Sequence, residues 1–395
     1  MKTYVSFPEL VWFQEGPGVR NTQYRTTGIK LLNVSNLVDG KIDLSTTNRY
    51  ISSEEAYNKY KHFLVDEGDF IIASSGIKVE YFEKKMGFVK EEHLPLCMNT
   101  STIRFKVKNV NVLNIKYFMY FLKSEKFKQQ LAREITGSAQ LNFGPSHLKK
   151  MLLPLITLEK QEKIINILEL INNLIDKRQQ QVKKLDELVK SRFIEMFGDP
   201  VKNPYEFKKV ALSELADIKI GPFGSLLHKE DYISDGHPIL NPSHIVNGKI
   251  IPDNHLTISD EKYNELEAYH LNIGDVIMGR RGEMGRCAVI TSKGFLCGTG
   301  SLLIRSKGEI TADYLQKTIS FPSFKKTIED LAVGQTMPNL NVPIVSRFQI
   351  IKPPIDVQNN YYTFVEQTNK SKLEIQKSLD KLELLKKSLM QQYFG

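Results

Sequence analysis

The chain has 395 residues, a length that suits two or three folded domains better than one. Its composition, 41% hydrophobic and 25% charged, is that of a folded protein and excludes wholesale disorder. The formal net charge of +9 favours a polyanionic partner such as nucleic acid. Most of the surplus lies in residues 1–198, which hold 30 basic and 22 acidic side chains.

Cysteine usage and hydropathy predict the cellular setting. Three cysteines, Cys97, Cys287 and Cys297, are too few and too scattered for a disulfide framework or a zinc site. The N-terminal segment MKTYVSFPEL lacks the apolar core of a signal peptide. No stretch approaches the roughly 18 apolar residues that cross a bilayer. We therefore expect a cytoplasmic protein without a membrane partner.

The two halves of the chain share short segments in the same order. Residues 28–43 and 236–251 are identical at eight of sixteen positions, and EGDFIIASSG (67–76) lines up with IGDVIMGRRG (273–282). Further matches follow at an offset of 197 in the last third of each half. A repeat unit of half the chain indicates tandem duplication of a whole domain plus a helix.

The first part of each repeat, residues 1–155 and 199–352, has an irregular pattern. Short apolar runs such as FIIA (70–73) are separated by Gly, Asn and Ser, which is typical of a mixed α/β domain with short strands. Helical patterns occur at 115–135 and 311–331.

The second part of each repeat, residues 156–198 and 353–395, has the pattern of a long helix. Apolar residues recur at alternating three- and four-residue spacing, which is the seam of a coiled coil. In the first helix the seam positions are Ile164, Leu168, Ile171, Ile175, Arg178, Val182, Leu185, Val189, Arg192 and Met196. In the second helix they are Tyr361, Val365, Thr368, Lys372, Ile375, Leu379, Leu382, Lys386, Leu389 and Tyr393.

Each helix presents an apolar stripe that the equivalent helix of the other repeat can cover. The alternative is an ordinary amphipathic helix packed on its own domain. The predicted fold class is α/β, with two mixed α/β domains in a pseudo-two-fold tandem repeat joined by two long helices that form an antiparallel coiled coil. Two similar but non-identical domains on a rigid spacer suit DNA, whose helical repeat of about 34 Å lets paired readers select two half-sites.

Four phrases carry a family resemblance: GHPILNPSHIVNGKI (236–250), GDVIMGRRGEMGRCAVI (274–290), VGQTMPNLN (333–341) and RFIEMFGDP (192–200). In this order, within a duplicated frame, the chain resembles the specificity subunits of type I restriction–modification systems over essentially its whole length. Its opening, YVSFPELVWFQEGPGVR, departs from the family pattern.

The resemblance implies a non-catalytic subunit with two target recognition domains that read a bipartite, asymmetric site on double-stranded DNA. Two adenine-N6 methyltransferase subunits are the implied partners, and ATP-driven restriction subunits are a further partner class. This chain is then expected to bind no cofactor or metal, with S-adenosylmethionine, ATP and Mg²⁺ held by partner subunits.

Candidate DNA contacts lie in glycine-rich or basic loops. The loop from Gly279 to Arg286 combines three glycines, which permit close backbone approach, with three arginines for phosphate or guanine. The alternative is a solvated turn, and the tracts 137–140 and 334–337 are expected to be structural hinges. The candidate residues are Arg280, Arg281, Arg286, Arg20, Asn21, Gln23, Tyr24, Arg25, Ser74, Ser75, Lys78, Phe223, Ser225, His228 and Lys229.

Enzyme motifs are weak or absent in the sequence. Asn203-Pro204-Tyr205 lacks the second proline of an adenine methyltransferase loop, and Asp199 with Glu206 only resembles a nuclease site. No GxxxxGK[ST] or HExxH occurs. The alternatives to a specificity subunit are a fragment of a single-chain restriction–modification enzyme and a non-specific DNA-binding or coiled-coil scaffold protein.

Overall fold

The structure, a computed structural model, describes residues 3–135, 141–332 and 339–395; the two tracts expected to be hinges lie outside these residues. The chain divides into two units. Unit 1 comprises Met1–Gln179 and Lys377–Gly395, and unit 2 comprises Gln180–Gln376.

Unit 1 alternates short strands with short helices and begins the first long helix. Its strands are β1 (Thr3–Ser6), β2 (Val11–Glu15), β3 (Ile29–Leu32), β4 (Leu37–Val38), β5 (Lys41–Ile42), β6 (Tyr50–Ile51), β7 (Phe70–Ala73), β8 (Ser75–Ile77), β9 (Met86–Phe88), β10 (Leu96–Met98), β11 (Thr102–Val107), β12 (Leu141–Asn142) and β13 (Leu152–Leu155). Its helices are α1 (Phe7–Leu10), α2 (Ser53–Tyr57), α3 (Ile115–Leu122), α4 (Glu125–Glu134), α5 (Pro145–Leu148), the first part of α6 (Leu158–Phe197) and the end of the C-terminal helix, from residue 377.

The main sheet of unit 1 is antiparallel, with strand order β2-β11-β7-β9. A smaller sheet has the order β10-β3-β6 and includes one parallel pair, β10 with β3. Phe105 of β11 lies opposite Phe13 of β2 and Phe70 of β7, and Phe105 and Phe70 are buried. The buried residues of this sheet pack with those of α3, α4 and the start of α6 in one apolar core.

Unit 2 repeats this arrangement. Its strands are β14 (Lys209–Ala211), β15 (Ala216–Ile220), β16 (His237–Leu240), β17 (Ile245–Val246), β18 (Lys249–Ile250), β19 (Thr257–Ile258), β20 (His270–Leu271), β21 (Val276–Gly279), β22 (Cys287–Val289), β23 (Phe295–Cys297), β24 (Ser301–Ser306) and β25 (Gln349–Ile351). Its helices are the second part of α6, α7 (Leu212–Leu215), α8 (Asp260–Glu265), α9 (Ala312–Ser320), α10 (Pro322–Leu331), α11 (Val342–Ser346) and the first part of α12 (Ile355–Phe394).

The main sheet of unit 2 is again antiparallel, with the order β15-β24-β21-β22. The second sheet has the order β19-β16-β23-β20, and its β16–β23 pair is parallel. The predicted duplication of a mixed α/β domain is therefore confirmed.

The helical patterns at 115–135 and 311–331 are each divided into two helices. Between α3 and α4, the Ser124 side chain accepts a hydrogen bond from the Phe127 amide and begins a new helix. Between α9 and α10, Pro322 holds the preceding Phe321 in an extended conformation, which a continuous helix does not allow.

The predicted seam matches the burial of the two long helices. All twenty seam positions of α6 and α12 are buried or half-buried. Within unit 1, Ile171 and Ile175 cluster with Leu379, Leu382 and Leu389.

Contacts within unit 2 give the direction of the helix pair. Asp186 pairs with Lys372 at 2.5 Å, the Arg192 guanidinium lies 5.8 Å from the ring of Phe364, and the rings of Phe197 and Tyr361 lie 5.5 Å apart. The residue numbers rise along α6 as they fall along α12. The predicted antiparallel pairing is confirmed.

Each unit is closed by the end of the long helix from the other sequence repeat. In unit 1, the ring of Tyr117 lies 5.1 Å from that of Phe394, and its hydroxyl donates to the Pro154 carbonyl. In unit 2, the ring of Tyr314 lies 4.7 Å from that of Phe197, and its hydroxyl donates to the carbonyl of Ile351 in the same way. The division into units thus differs from the division into sequence repeats.

Candidate nucleic-acid interface

In unit 2, three loops and one further segment meet at one end of the main sheet. Strands β15 and β21 end there and the antiparallel strand β24 begins there. The Gly221 amide donates to the Ser301 carbonyl at 3.2 Å, and the Arg280 amide donates to the Gly300 carbonyl at 3.0 Å. The Leu340 amide donates to the Arg280 carbonyl at 2.9 Å. We call residues 221–229, 280–286, 298–300 and 339–341 the unit-2 loop face.

The two central arginines of this face differ in availability. The half-buried Arg280 donates from Nε to Asn339 Oδ1 at 3.1 Å, and burial, with a smaller effect of Arg281, lowers the pKa of Arg280. The Arg281 side chain is exposed and has no hydrogen bond or ion pair with any residue that the structure describes. Arg281 is therefore the arginine of this face whose whole guanidinium is free of contacts with the described residues, whereas Arg280 is held through Nε.

The third arginine is held within the protein. Arg286 donates from Nη2 to Glu283 at 2.8 Å and from Nη1 to the Pro242 carbonyl at 3.1 Å. Glu283 also pairs with Lys325 at 2.8 Å, and the bonds from Lys325 and then Arg286 lower the pKa of Glu283. Arg286 fixes the loop with three of its five N–H donors, so its guanidinium is less available to DNA than that of Arg281.

The segment after β15 presents an apolar tip. Phe223 is 64% exposed, and Ser225, His228 and Lys229 after it are exposed as well. Beneath the tip, the Thr299 hydroxyl donates to the Pro222 carbonyl at 2.6 Å. These four residues belong to the unit-2 loop face, as Arg281 does.

Unit 1 has a backbone frame that matches that of unit 2. The Gly16 amide donates to the Thr102 carbonyl at 2.9 Å, the Ser74 amide to the Ser101 carbonyl at 2.8 Å, and the Phe143 amide to the Ser74 carbonyl at 2.9 Å. Ser74 therefore occupies the place of Arg280, as the repeat alignment predicts. We call residues 16–25, 74–78, 99–101 and 141–143 the unit-1 loop face.

The side chains of the serine segment are less accessible than expected. The Ser74 hydroxyl is buried, so Ser74 is left out of the proposed DNA contacts. Ser75 is half-buried and pairs with Asn142 in the β8–β12 ladder. Lys78 is exposed.

The cluster from Arg20 to Arg25 is partly engaged inside unit 1. Gln23 donates to Glu55 at 2.8 Å and to the Tyr60 hydroxyl at 3.1 Å. Tyr24 is half-buried, and its hydroxyl accepts from Asn99 at 3.4 Å. The exposed Arg25 donates to the carbonyls of Thr22 and Tyr24, whereas Arg20 and Asn21 are exposed at the tip. These arrangements favour Arg20 and Asn21 as contacts and Gln23 as a positioning residue.

Two asparagines that sequence reasoning missed hold the loop faces. Asn339 fixes Arg280 as described, and it belongs to the family phrase at 333–341, which was the available signal. Asn99 accepts from the Val19 and Thr100 amides and donates to Asn33 at 2.9 Å. No sequence pattern marks Asn99, because the partners are distant along the chain.

The segments that resemble enzyme motifs stabilise a turn. Asp199 accepts from the amides of Val201 and Lys202 and from the Ser323 hydroxyl, while Asn203 bonds the Phe207 backbone. Within the described ranges, no group of three or more His, Cys, Asp or Glu side chains is placed to hold a metal ion. The three cysteines are buried, which raises the pKa of each thiol to about 12.

The helices of the described ranges include none with the length and apolar character of a membrane span. The fold and the two loop faces define a duplicated α/β protein. Its two loop faces have similar backbone frames and different side chains, an arrangement typical of binding proteins.

Comparison with known proteins gives the family. The model of the type I restriction modification DNA specificity domain matches residues 25–185 and 204–386. The chain belongs to this family.

Two curated relatives come from Methanocaldococcus jannaschii. The Type I restriction enzyme MjaVIII specificity subunit is 26% identical over 190 residues, which are 47% of this chain and 43% of the relative. The MjaIX specificity subunit is 23% identical over 299 residues, 70% of this chain and 67% of the relative. The matched region therefore spans less than half of the first relative and about two thirds of the second.

The fold is also found among solved structures. A chain in a structure that describes the complex assembly and conformational transition of the type I R-M system aligns over 99% of this chain and 97% of its own length. Its TM-score is 0.65 at 16% identity. The predicted fold class is the one found in this family.

Proposed function

We propose that this chain is the non-catalytic specificity subunit of a type I restriction–modification complex. It binds double-stranded DNA through the two loop faces and reads a bipartite, asymmetric site. The observation that carries the proposal is the pair of equivalent backbone frames with different side chains. Where unit 1 has Ser75 and Gly18, unit 2 has Arg281 and Phe223. Equivalent frames suit one kind of ligand, and different side chains suit two different base sequences.

The partners follow from this role. Two methyltransferase subunits bind the chain and act on an adenine in each half-site, and a restriction subunit is a further partner. S-adenosylmethionine, ATP and Mg²⁺ then belong to these partners. The complex acts in the cytoplasm, where its DNA substrate lies.

A genome-wide map of N6-methyladenine tests the proposal. The map is made in cells with the gene intact, deleted, and restored from a plasmid. We expect deletion to remove methylation at one interrupted, two-part motif and restoration to return it. The restored strain is the control for effects of deletion on neighbouring genes.

Other results distinguish the alternatives. An unchanged map contradicts the proposal. Methyl transfer by the purified chain alone indicates a fragment of a single-chain enzyme. DNA binding that is salt-sensitive but indifferent to sequence indicates a scaffold or non-specific binding protein.

A further inference from the structure

Among the residues that the structure describes, none packs against the Phe223 ring in a way that accounts for its position. It is 64% exposed, more than any other aromatic residue in the ranges that the structure describes. Its ring takes part in no aromatic pair or apolar core cluster of those ranges, and Leu226, three residues later, is 42% exposed. A phenyl ring left in water loses the free energy of burial that most phenylalanines contribute, so its exposure favours an external partner.

The backbone beneath Phe223 is held in place. A Cβ atom added at Gly221 would lie 2.1 Å from the Gly298 carbonyl oxygen, which leaves room only for glycine. The next residue, Pro222, is buried and restricted in φ, and its carbonyl accepts from Thr299. The following turn depends on Gly224, whose φ is +63°. The Phe223 side chain therefore projects from a restrained backbone, so that little backbone entropy is lost on binding.

The turn at 299–300 holds the backbone next to both Phe223 and Arg281. Thr299 bonds Pro222, and the adjacent Gly300 accepts from the amide of Arg280, whose neighbour is Arg281. Phe223 and Arg281, both exposed, thus each follow a residue that is bonded to the same turn at 299–300. A ligand that contacts both side chains must offer an apolar group to Phe223 and a hydrogen-bond acceptor to Arg281.

The major groove of DNA offers this combination. Arginine reads guanine O6 and N7 there, and the 5-methyl group of thymine is the apolar group at the base edges. Insertion of the ring between base pairs is the alternative, but it requires unstacking of a base step, whereas a methyl contact requires no distortion. The less costly contact is favoured.

We propose that Phe223 packs against the 5-methyl group of a thymine in the half-site that unit 2 reads. The inference rests on the proposed DNA-binding function and extends it to one base type. The equivalent position in unit 1 is Gly18, which has the same Gly-Pro before it and no side chain. Unit 1 therefore makes no such contact from this position.

Deoxyuridine substitution tests this inference, because deoxyuridine differs from thymidine only by the methyl group. The chain, assembled with its methyltransferase subunits, is titrated with duplexes that carry the motif from the methylation map. Each thymine of both half-sites is replaced in turn, and Kd is measured at one salt concentration. For the wild-type chain we expect one thymine, in one half-site, at which the substitution raises Kd about fourfold, as the loss of one buried methyl group implies.

Variants assign the effect to Phe223. The Phe223→Ala variant should bind the thymine duplex and the deoxyuridine duplex equally. The Phe223→Leu variant should still prefer thymine. Val110→Ala, which truncates an apolar residue of unit 1 that is 72% exposed, is the matched control and should bind like wild type.

Three results would overturn the inference. The first is a set of substitutions that all leave the wild-type Kd unchanged. The second is a thymine preference that survives in Phe223→Ala. The third is a rise in 2-aminopurine fluorescence on binding that requires Phe223, in the absence of any effect of deoxyuridine. Such a rise would show that the ring inserts between bases. If the wild-type complex shows no preference for the motif, the proposed function is contradicted as well. Binding of the unsubstituted duplex measures this separately from the effect of deoxyuridine.

Discussion

At the scale of single residues, the availability of an arginine depends on what its guanidinium already contacts. Arg280, Arg281 and Arg286 lie within seven positions of one another, yet only Arg281 has a side chain without a hydrogen bond or ion pair in the described ranges. A guanidinium that leaves an internal acceptor must replace that bond with one to DNA, so its net contribution to binding is smaller. The same argument removes Gln23 from the proposed contacts, whereas Ser74 is removed because its hydroxyl is buried.

Arg281→Ala tests the central contact of the unit-2 loop face. We expect the specific complex to lose about 1–3 kcal/mol of binding free energy and discrimination to relax at one half-site, because a bidentate contact to guanine is lost. Competition binding with motif variants measures both effects.

Lys293→Ala is the matched control for Arg281→Ala. Lys293 is exposed in the same unit, on the loop that follows β22, whereas Arg281 lies on the loop that precedes this strand. The control removes the same charge and should leave specificity unchanged. Equal effects of the two substitutions would mean that only net charge matters.

Glu283 makes the stability of the unit-2 loop depend on pH. Hydrogen bonds from Lys325 and Arg286 lower the pKa of this carboxyl in the folded protein. Its contribution is therefore complete above the ordinary carboxyl pKa of 4.5 and is lost as the pH falls through the lower folded value. Because the side chain is about half exposed, we expect a contribution of about 0.5 kcal/mol or less.

Thermal unfolding of wild type and Glu283→Gln between neutral pH and pH 3 checks this prediction. The difference in Tm should shrink as the pH falls, because protonation makes the two side chains alike. A difference that grows on acidification has the wrong sign and would refute the assigned pairing.

At the scale of elements, the long helices carry both a buried seam and an exposed surface, and adjacent residues belong to opposite sides. Leu168 is 0% exposed and belongs to the core of unit 1, whereas Ile167 is 40% exposed. The periodicity that predicted the seam also separates these two residues. Substitution of each by alanine therefore tests the seam within one turn of helix.

We expect Leu168→Ala to reduce the free energy of unfolding by about 2–5 kcal/mol, since it leaves a cavity in a packed core. Ile167→Ala should change it by less than about 0.5 kcal/mol, because an exposed site loses little burial. Urea denaturation followed by circular dichroism measures both. Comparable losses in the two variants would contradict the helix orientation.

At the scale of the whole molecule, the sequence repeats and the folded units do not coincide. The repeats divide near residue 198, but each unit contains part of both long helices. The contacts of Phe394 with Tyr117 and of Phe197 with Tyr314 explain this division, because each aromatic core is completed by the other repeat.

Two fragments of equal length test the division. Residues 180–376 form unit 2 and retain Phe193 and Phe197, whereas residues 199–395 form the second sequence repeat and lack them. We expect the first fragment to unfold cooperatively and to be at least about 3 kcal/mol more stable, as the loss of buried phenylalanines implies. Denaturant unfolding of both fragments at equal concentration measures this difference. Equal stability of the fragments would show that the exchanged helix ends contribute little.

Much of this architecture is present in local sequence. The duplication, the mixed α/β character of each repeat, the two long helices and the twenty seam positions follow from residue type and spacing, because burial on one face imposes a period. The loop segments with candidate contacts were also predictable, since glycine, arginine and serine are typical of ligand-contacting turns.

Other features were decided by tertiary structure alone. Which arginine is free of internal contacts depends on Asn339, Glu283 and Pro242, whose positions in space no local pattern specifies. The exchange of helix ends depends on packing between aromatic residues about 280 positions apart in unit 1. The sequence by itself determined the elements and their chemistry; tertiary packing decided which side chains are used internally and which remain for a ligand, because a hydrogen bond or a buried contact needs a partner brought near by the fold.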